Sequence, residues 1–346
     1  MKKIVGLVLA GAIVGLMGAC KSDGSKLATV NGVLTPERDG AEILLISLSN
    51  GDTLANTTVA DAAFLIEAEV TEPQLVQLRM GGRAAGNFVL EPGTVTYTAE
   101  GVSGTPLNDT LNSYLQTYSS KYTELMEMDQ QEDVDEAAMQ AKVDEINAYQ
   151  QEVMTANIDN PVGAYIFLDE AYDLDLPELE TIVAEHPSLG QYSKINQILG
   201  HKKLAAETSE GQPYKDFEIT YEGTTTKLSD LMQEGHYTLV DFWASWCGPC
   251  RREIPVIKDI LAEYGPKGLD VVGVAVWDKA EDTKQAMNEL EISWPVIIDA
   301  QTIPTDIYGI LGIPTIILIG PDGTILSRGK QGDELKAAVA DAFAQK

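Results

Sequence analysis

Cysteine and histidine are both scarce in this chain, at three each in 346 residues. His186, His201 and His236 stand apart from one another. A structural zinc site needs about four Cys or His ligands, commonly supplied in close pairs, so no metal site is expected, and no cofactor. Positive charge is also short: 24 Lys and Arg face 53 Asp and Glu, for a net charge of −29. Binding phosphates takes clustered Lys and Arg, which excludes nucleic acid as an expected partner. Beyond the first twenty residues no apolar run is long enough to span a bilayer. What is present suits a folded protein. Hydrophobic residues make up 44% of the chain, enough for more than one core, and the length fits two or three domains.

The first residues have their own character. Met1-Lys2-Lys3 is positive, Ile4 to Met17 is apolar but short for a membrane span, and Leu16-Met17-Gly18-Ala19-Cys20 places small residues ahead of a cysteine. This stretch resembles a bacterial lipoprotein signal. The resemblance implies a signal peptide over 1–19, cleavage before Cys20 and lipid on the Cys20 sulfur. Acyl chains hold a protein on a bilayer without a spanning helix, so the expected location is the bacterial cell envelope, on its periplasmic face or at the cell surface. The polar residues after Cys20 read as a tether over 20–27.

Pattern divides the rest. Over 28–106, short alternating segments such as Glu42-Ile43-Leu44-Leu45-Ile46-Ser47 and Val95-Thr96-Tyr97-Thr98 are punctuated by turn residues, which predicts a small β-sandwich. Over 107–205 the period changes. Leu111, Tyr114, Leu115, Tyr118, Tyr122 and Leu125 recur at three- and four-residue steps, as do Met139, Val143, Ile146, Tyr149 and Val153, predicting an acidic helical segment. It holds 19 Asp and Glu against 5 Lys and Arg, read as a solvated surface. From 206 to 346, strand-like and helix-like runs alternate, which predicts a layered α/β domain.

The chemistry lies in that last domain. Trp246-Cys247-Gly248-Pro249-Cys250 follows the apolar run Tyr237–Trp243 and precedes a helix-like segment, the context of a redox dithiol that can close into a disulfide. A helix starting within the motif points unpaired N–H groups and its positive end at the first sulfur, favouring the Cys247 thiolate. Pro249 fits a first helical turn, Gly248 leaves the approach open, and Cys250 lies one turn on, placed to resolve a mixed disulfide on Cys247. The expected attacking sulfur, that of Cys247, faces solvent while Cys250 is shielded. Asp241 is a charge among apolar strand residues, where burial should raise its pKa toward neutrality. Glu253, three residues after Cys250, shares its helical face. Far downstream, Ile313-Pro314-Thr315 opens a β-branched run.

With both segments in view the chain resembles the thioredoxin superfamily, and Glu253 matches the TlpA/ResA-like extracytoplasmic reductases that work in cytochrome c maturation. The 28–106 region resembles the β-rich domain of unknown function fused ahead of such domains in lipoproteins. The resemblance implies a cis Ile313–Pro314 bond facing the dithiol, a docking surface formed by Trp246, Gly248, Pro249, Ile313 and Thr315, and a proton acceptor for Cys250 at either Asp241 or Glu253. It implies reduction of disulfide-containing envelope proteins, with a dithiol electron donor. Two other readings stand beside it: a disulfide oxidase or isomerase, and an envelope binding protein in which the β-rich domain captures a partner.

Overall fold

The computed structural model describes residues 26–130 and 135–344. The expected signal peptide and Cys20 lie outside them. The chain forms two compact units that divide between Gly163 and Ala164.

The first unit is built from eight strands: β1 (Lys26–Val33), β2 (Glu42–Ser47), β3 (Thr53–Thr58), β4 (Ala63–Val70), β5 (Gln74–Met80), β6 (Arg83–Leu90), β7 (Gly93–Thr98) and β8 (Gly101–Ser103). They make two four-stranded sheets, ordered β4-β1-β7-β8 and β3-β2-β5-β6. Alternate side chains of both sheets meet in one core of Ala28, Val30, Ile43, Leu45, Phe64, Ile66, Leu78, Phe88 and Val95, the sandwich that the alternation predicts. Residues Lys26 and Leu27 are already paired within β1, so this sheet takes up the end of the stretch read as a tether. Two long helices follow, α1 (Pro106–Asp129) and α2 (Glu136–Asn157). The start of α1 is fixed to the sandwich by buried Asn108, which exchanges hydrogen bonds with the Val89 backbone at 2.9 and 2.7 Å. Glu91 accepts from the Leu107 and Asn108 amides at the same helix end, where a carboxylate suits the dipole.

The remaining helices of the middle segment group differently. The unit boundary falls inside α3 (Pro161–Asp173), so most of α3 belongs with α4 (Leu176–Glu185), α5 (Ser193–Ala206) and everything after them. The helices of the segment 107–205 are therefore shared between the units. The period of that segment shows helices but not which core each helix packs on.

After α5 comes a hairpin, β9 (Glu218–Tyr221) and β10 (Thr224–Lys227), that the pattern of the sequence does not predict. There follow β11 (Tyr237–Trp243), α6 (Gly248–Tyr264), β12 (Leu269–Ala275), α7 (Ala280–Glu289), β13 (Val296–Ile297), α8 (Ile303–Tyr308), β14 (Thr315–Ile319), β15 (Ile325–Arg328) and α9 (Gly332–Ala344). The five-stranded sheet runs β13-β12-β11-β14-β15, with β11 parallel to β12 and antiparallel to β14. Both faces are covered. One carries Phe217, Val240, Phe242, Val272 and Val274, the other Leu239, Ile254, Ile257, Val271, Leu335 and Val339 from the strands, α6 and α9. Every residue of β11 is buried, which explains its nearly continuous apolar run. Among the described residues no helix is long and apolar enough to cross a membrane.

Candidate active site

The central strand β11 delivers the chain to the site. Its alternation puts Leu239, Asp241 and Trp243 on the face covered by α6. The strand ends at Trp243, the chain turns through 244–246, and α6 begins at Gly248 with Cys247 as its N-cap. Pro249 occupies the first turn.

Cys247 and Cys250 form a disulfide, with Cα atoms 5.3 Å apart. The Cys250 N–H donates to Cys247 Sγ at 3.1 Å. The sulfur thus occupies the place of a helix-capping acceptor, where an orphan amide and the positive helix end both favour negative charge. Cys247 Sγ also lies 3.7 Å from the Ile313 carbonyl oxygen, and the Ile313–Pro314 peptide is cis. Thr315 Oγ1 donates to the Gly312 carbonyl at 2.8 Å, closing the turn that carries the proline. The order of exposure differs from expectation in degree. Cys247 is 3% exposed and Cys250 1%; both pack with Trp243, Ala244 and Ala286, and Ile313 leans on the same cluster. Access comes instead past Gly248 and Pro249, which are exposed.

Trp246 is 62% exposed, yet its ring is fixed: Nε1–H donates to the Trp277 carbonyl at 3.0 Å. It forms one wall of an open groove of about 550 Å³ bounded also by Trp277 and Gln301. Arg251, next after Cys250, points its guanidinium away from the sulfurs to other partners. Its guanidinium donates to the Ser245 carbonyl at 3.3 Å and to Glu289 at 3.1 Å.

Two buried acids, Asp241 on β11 and Glu253 on α6, lie on the strand and helix that flank the dithiol. Asp241 is 1% exposed, and neither of its carboxylate oxygens has a hydrogen-bond partner among the described residues. Burial pushes its pKa from 3.8 to about 7, with the neighbouring Glu253 carboxylate adding to the rise. Glu253 on α6 is buried too, but its Oε1 accepts from the Gly332 N–H at 2.7 Å. That amide opens α9, so Glu253 has a donor and a helix dipole that Asp241 lacks. The structure therefore brings Asp241, Glu253, Cys247, Cys250, Trp246, Ile313, Pro314 and Thr315 to one end of the sheet. Among the described residues no group of three or more His, Cys, Asp or Glu converges as metal ligands.

Sequence reasoning missed Asp278, whose buried carboxylate receives the Ser245 amide at 2.7 Å. The available signal was an aspartate between the end of a strand and the start of a helix, where a carboxylate can accept backbone N–H groups.

A dithiol at the start of the helix that follows the central strand of a mixed sheet, beside a cis-proline turn, defines a thioredoxin-like domain. Comparison with known proteins agrees. Residues 211–328 match the model of the AhpC/TSA family. Over 102 residues the chain is 37% identical to the thiol-disulfide oxidoreductase ResA of Oceanobacillus iheyensis, covering 30% of this chain and 52%, about half, of that relative. It is 31% identical over 138 residues to the thioredoxin-like protein YneN of Bacillus subtilis, covering 39% of this chain and 79% of YneN. The solved thioredoxin domain of a thiol-disulfide oxidoreductase from Bacteroides vulgatus is 31% identical, covering 38% of this chain and 96% of that domain, at a TM-score of 0.35. Through its second unit, the chain belongs to the thioredoxin-like proteins, and over part of that unit it is similar to the ResA thiol–disulfide oxidoreductases.

Proposed function

We propose that the chain is a lipid-anchored, extracytoplasmic thiol–disulfide oxidoreductase that reduces disulfides in proteins of the cell envelope. The observation that carries this reading is the placement of Cys247 Sγ at the N-terminus of α6, 3.1 Å from the Cys250 amide and 3.7 Å from the Ile313 carbonyl. The amide favours the thiolate in the reduced state. The half-buried turn at Ile313–Pro314 and the exposed Trp246 ring offer a surface to an extended substrate segment.

Cys247 attacks one sulfur of the substrate disulfide; a Cys247–substrate bond forms, the substrate S–S bond breaks, and one substrate thiolate leaves. The Cys250 thiol then loses its proton and attacks Cys247 Sγ. The internal disulfide forms and the second substrate thiolate departs, so two electrons pass to the substrate. An external dithiol must return them. Asp241 takes the Cys250 proton in this reading: it is buried on the strand that leads to the pair and its pKa of about 7 suits exchange near neutral pH. Glu253, tied to α9, holds that pKa up by its charge. The Gly248-Pro249 spacer is the one found in thioredoxin, whose potential of about −270 mV favours reduction. Lipid on Cys20 would keep the chain at the membrane, where disulfide-containing envelope proteins, including apo-cytochromes, are the substrates this reading names.

The test joins trapping to titration. Cys250→Ser should accumulate mixed disulfides with envelope proteins, identified by mass spectrometry, while Cys247→Ser traps few. The dithiol potential should lie nearer −270 mV than the roughly −120 mV of a strong oxidant. Trapping by Cys247→Ser alone, or a potential above about −150 mV, rejects the reading.

A further inference from the structure

Ser245, two residues ahead of Cys247, has all of its polar atoms engaged from outside its own segment. Its N–H donates to Asp278 Oδ2 at 2.7 Å and its hydroxyl to Asp278 Oδ1 at 2.9 Å. Its carbonyl accepts from Arg251, which Glu289 holds in turn. Asp278 is 6% exposed and accepts two more bonds, from the Lys279 N–H and the Thr283 hydroxyl, each at 2.9 Å. The adjoining residue, Trp277, gives its carbonyl to the Trp246 indole. It can do so because its backbone is left-handed, at φ 53°, uncommon for so large a side chain. Gln301 Nε2 donates to the Asp278 carbonyl at 2.7 Å and closes the corner from behind.

We infer that Asp278 is a positioning residue of the dithiol, holding the 245–247 segment so that Cys247 Sγ meets the Cys250 amide. This rests on the oxidoreductase reading above. The chemistry requires a carboxylate. Each oxygen of Asp278 faces one backbone N–H, that of Ser245 or of Lys279, and a backbone amide cannot reverse its role. A side-chain amide would set its NH₂ against one of these donors whichever way it turned. A buried donor left without an acceptor is costly, and the loop relaxes to recover one. Cys247 moves with the loop, and the N–H···Sγ contact that favours its thiolate lengthens.

The test measures alkylation of reduced Cys247 by iodoacetamide against pH, read on the Cys247 peptide by mass spectrometry, in the full chain. Far-UV circular dichroism is recorded alongside. Asp278→Asn and Asp278→Glu should both raise the midpoint of the pH profile by about half a unit, with about a threefold loss of rate on the acidic limb. Ser245→Ala removes one donor and should shift the midpoint in the same direction by less. If Asp278→Asn does not fold, the other two variants decide. An unchanged midpoint with a lowered melting temperature overturns the positioning role and leaves a structural one. A lower midpoint in Asp278→Asn with none in Asp278→Glu shows that the charge alone acts, and also overturns it. A wild-type Cys247 no more reactive than an ordinary thiol overturns the oxidoreductase reading itself.

Discussion

Asp241 makes the folded state depend on pH in a way that replacing it with Asn should abolish. In the folded chain its carboxyl has a pKa of about 7 instead of 3.8. The difference is about 3 pH units, and at 1.36 kcal/mol each it corresponds to about 4 kcal/mol. Below pH 3.8 both folded and unfolded chains hold the proton and there is no penalty. Between 3.8 and 7 the folded state keeps a proton that the unfolded state has released, so stability falls as pH rises. Above 7 the whole penalty is present and the curve flattens. Asp241→Asn carries no such proton. The stability of the variant minus that of the wild type should therefore grow by about 4 kcal/mol from pH 4 to pH 8. Titrating groups other than the neighbouring Glu253 contribute nearly equally to both proteins and cancel.

Urea unfolding followed by tryptophan fluorescence reads this quantity directly. The four tryptophans, Trp243, Trp246, Trp277 and Trp294, all lie in the second unit, so the signal follows that unit. With a slope of about 2 kcal/mol per molar urea, the difference appears as a relative midpoint shift of about 2 M. Parallel curves for the two proteins across pH 4–8, or a variant less stable throughout, would refute the argument.

Two further outcomes follow from neighbouring contacts. Glu253→Gln removes the negative charge that helps to raise the Asp241 pKa while leaving an oxygen for the Gly332 amide, so the upper edge of that pH window should fall by about half a unit to one unit, measured by the same urea series. Gly309→Ala should lower the melting temperature by about 10 °C, from a cost of about 3 kcal/mol or more, because Gly309 has φ 61° and a Cβ there would collide with the His201 carbonyl oxygen and the Ala205 amide nitrogen of α5; calorimetry showing a shift under about 2 °C would count against it.

Legibility in the sequence followed the range of the interactions. Cys247, Pro249 and Cys250 were readable because a strand, a turn and a helix start are local. Asp241 was readable because a charge in an apolar strand violates its own pattern. The helices of 107–205 showed their period, but α1 and α2 fall in one unit and α4 and α5 in the other, a division set by contacts with distant segments. The β9–β10 hairpin, Glu-Ile-Thr-Tyr and Thr-Thr-Thr-Lys, is polar on its exposed face and offers too little apolar alternation to stand out. The helix start alone implies a more exposed Cys247 than the 3% found. The aliphatic side chain of Ile313, 66 residues downstream, packs on the same cluster as the disulfide.

Gly273 shows why the site as a whole could not be composed from motifs. It sits directly across from Asp241 in the β11–β12 register, so both occupy the same face of the sheet. A Cβ at Gly273 would lie 3.0 Å from Val296 Cγ2, 3.3 Å from Trp243 Nε1 and 3.4 Å from Trp294 Nε1. The glycine thus lets two indoles and a valine close over the strand beside the buried acid. Nothing in the run Val-Val-Gly-Val-Ala signals this, since an isolated glycine in a strand reads equally as a bulge or as a weak point. Its meaning comes from Trp294, which lies 21 positions further on beyond α7. Buried and given no donor among the described residues, the Asp241 carboxyl is desolvated, and it is that desolvation, more than the nearby Glu253, that lifts its pKa toward neutrality.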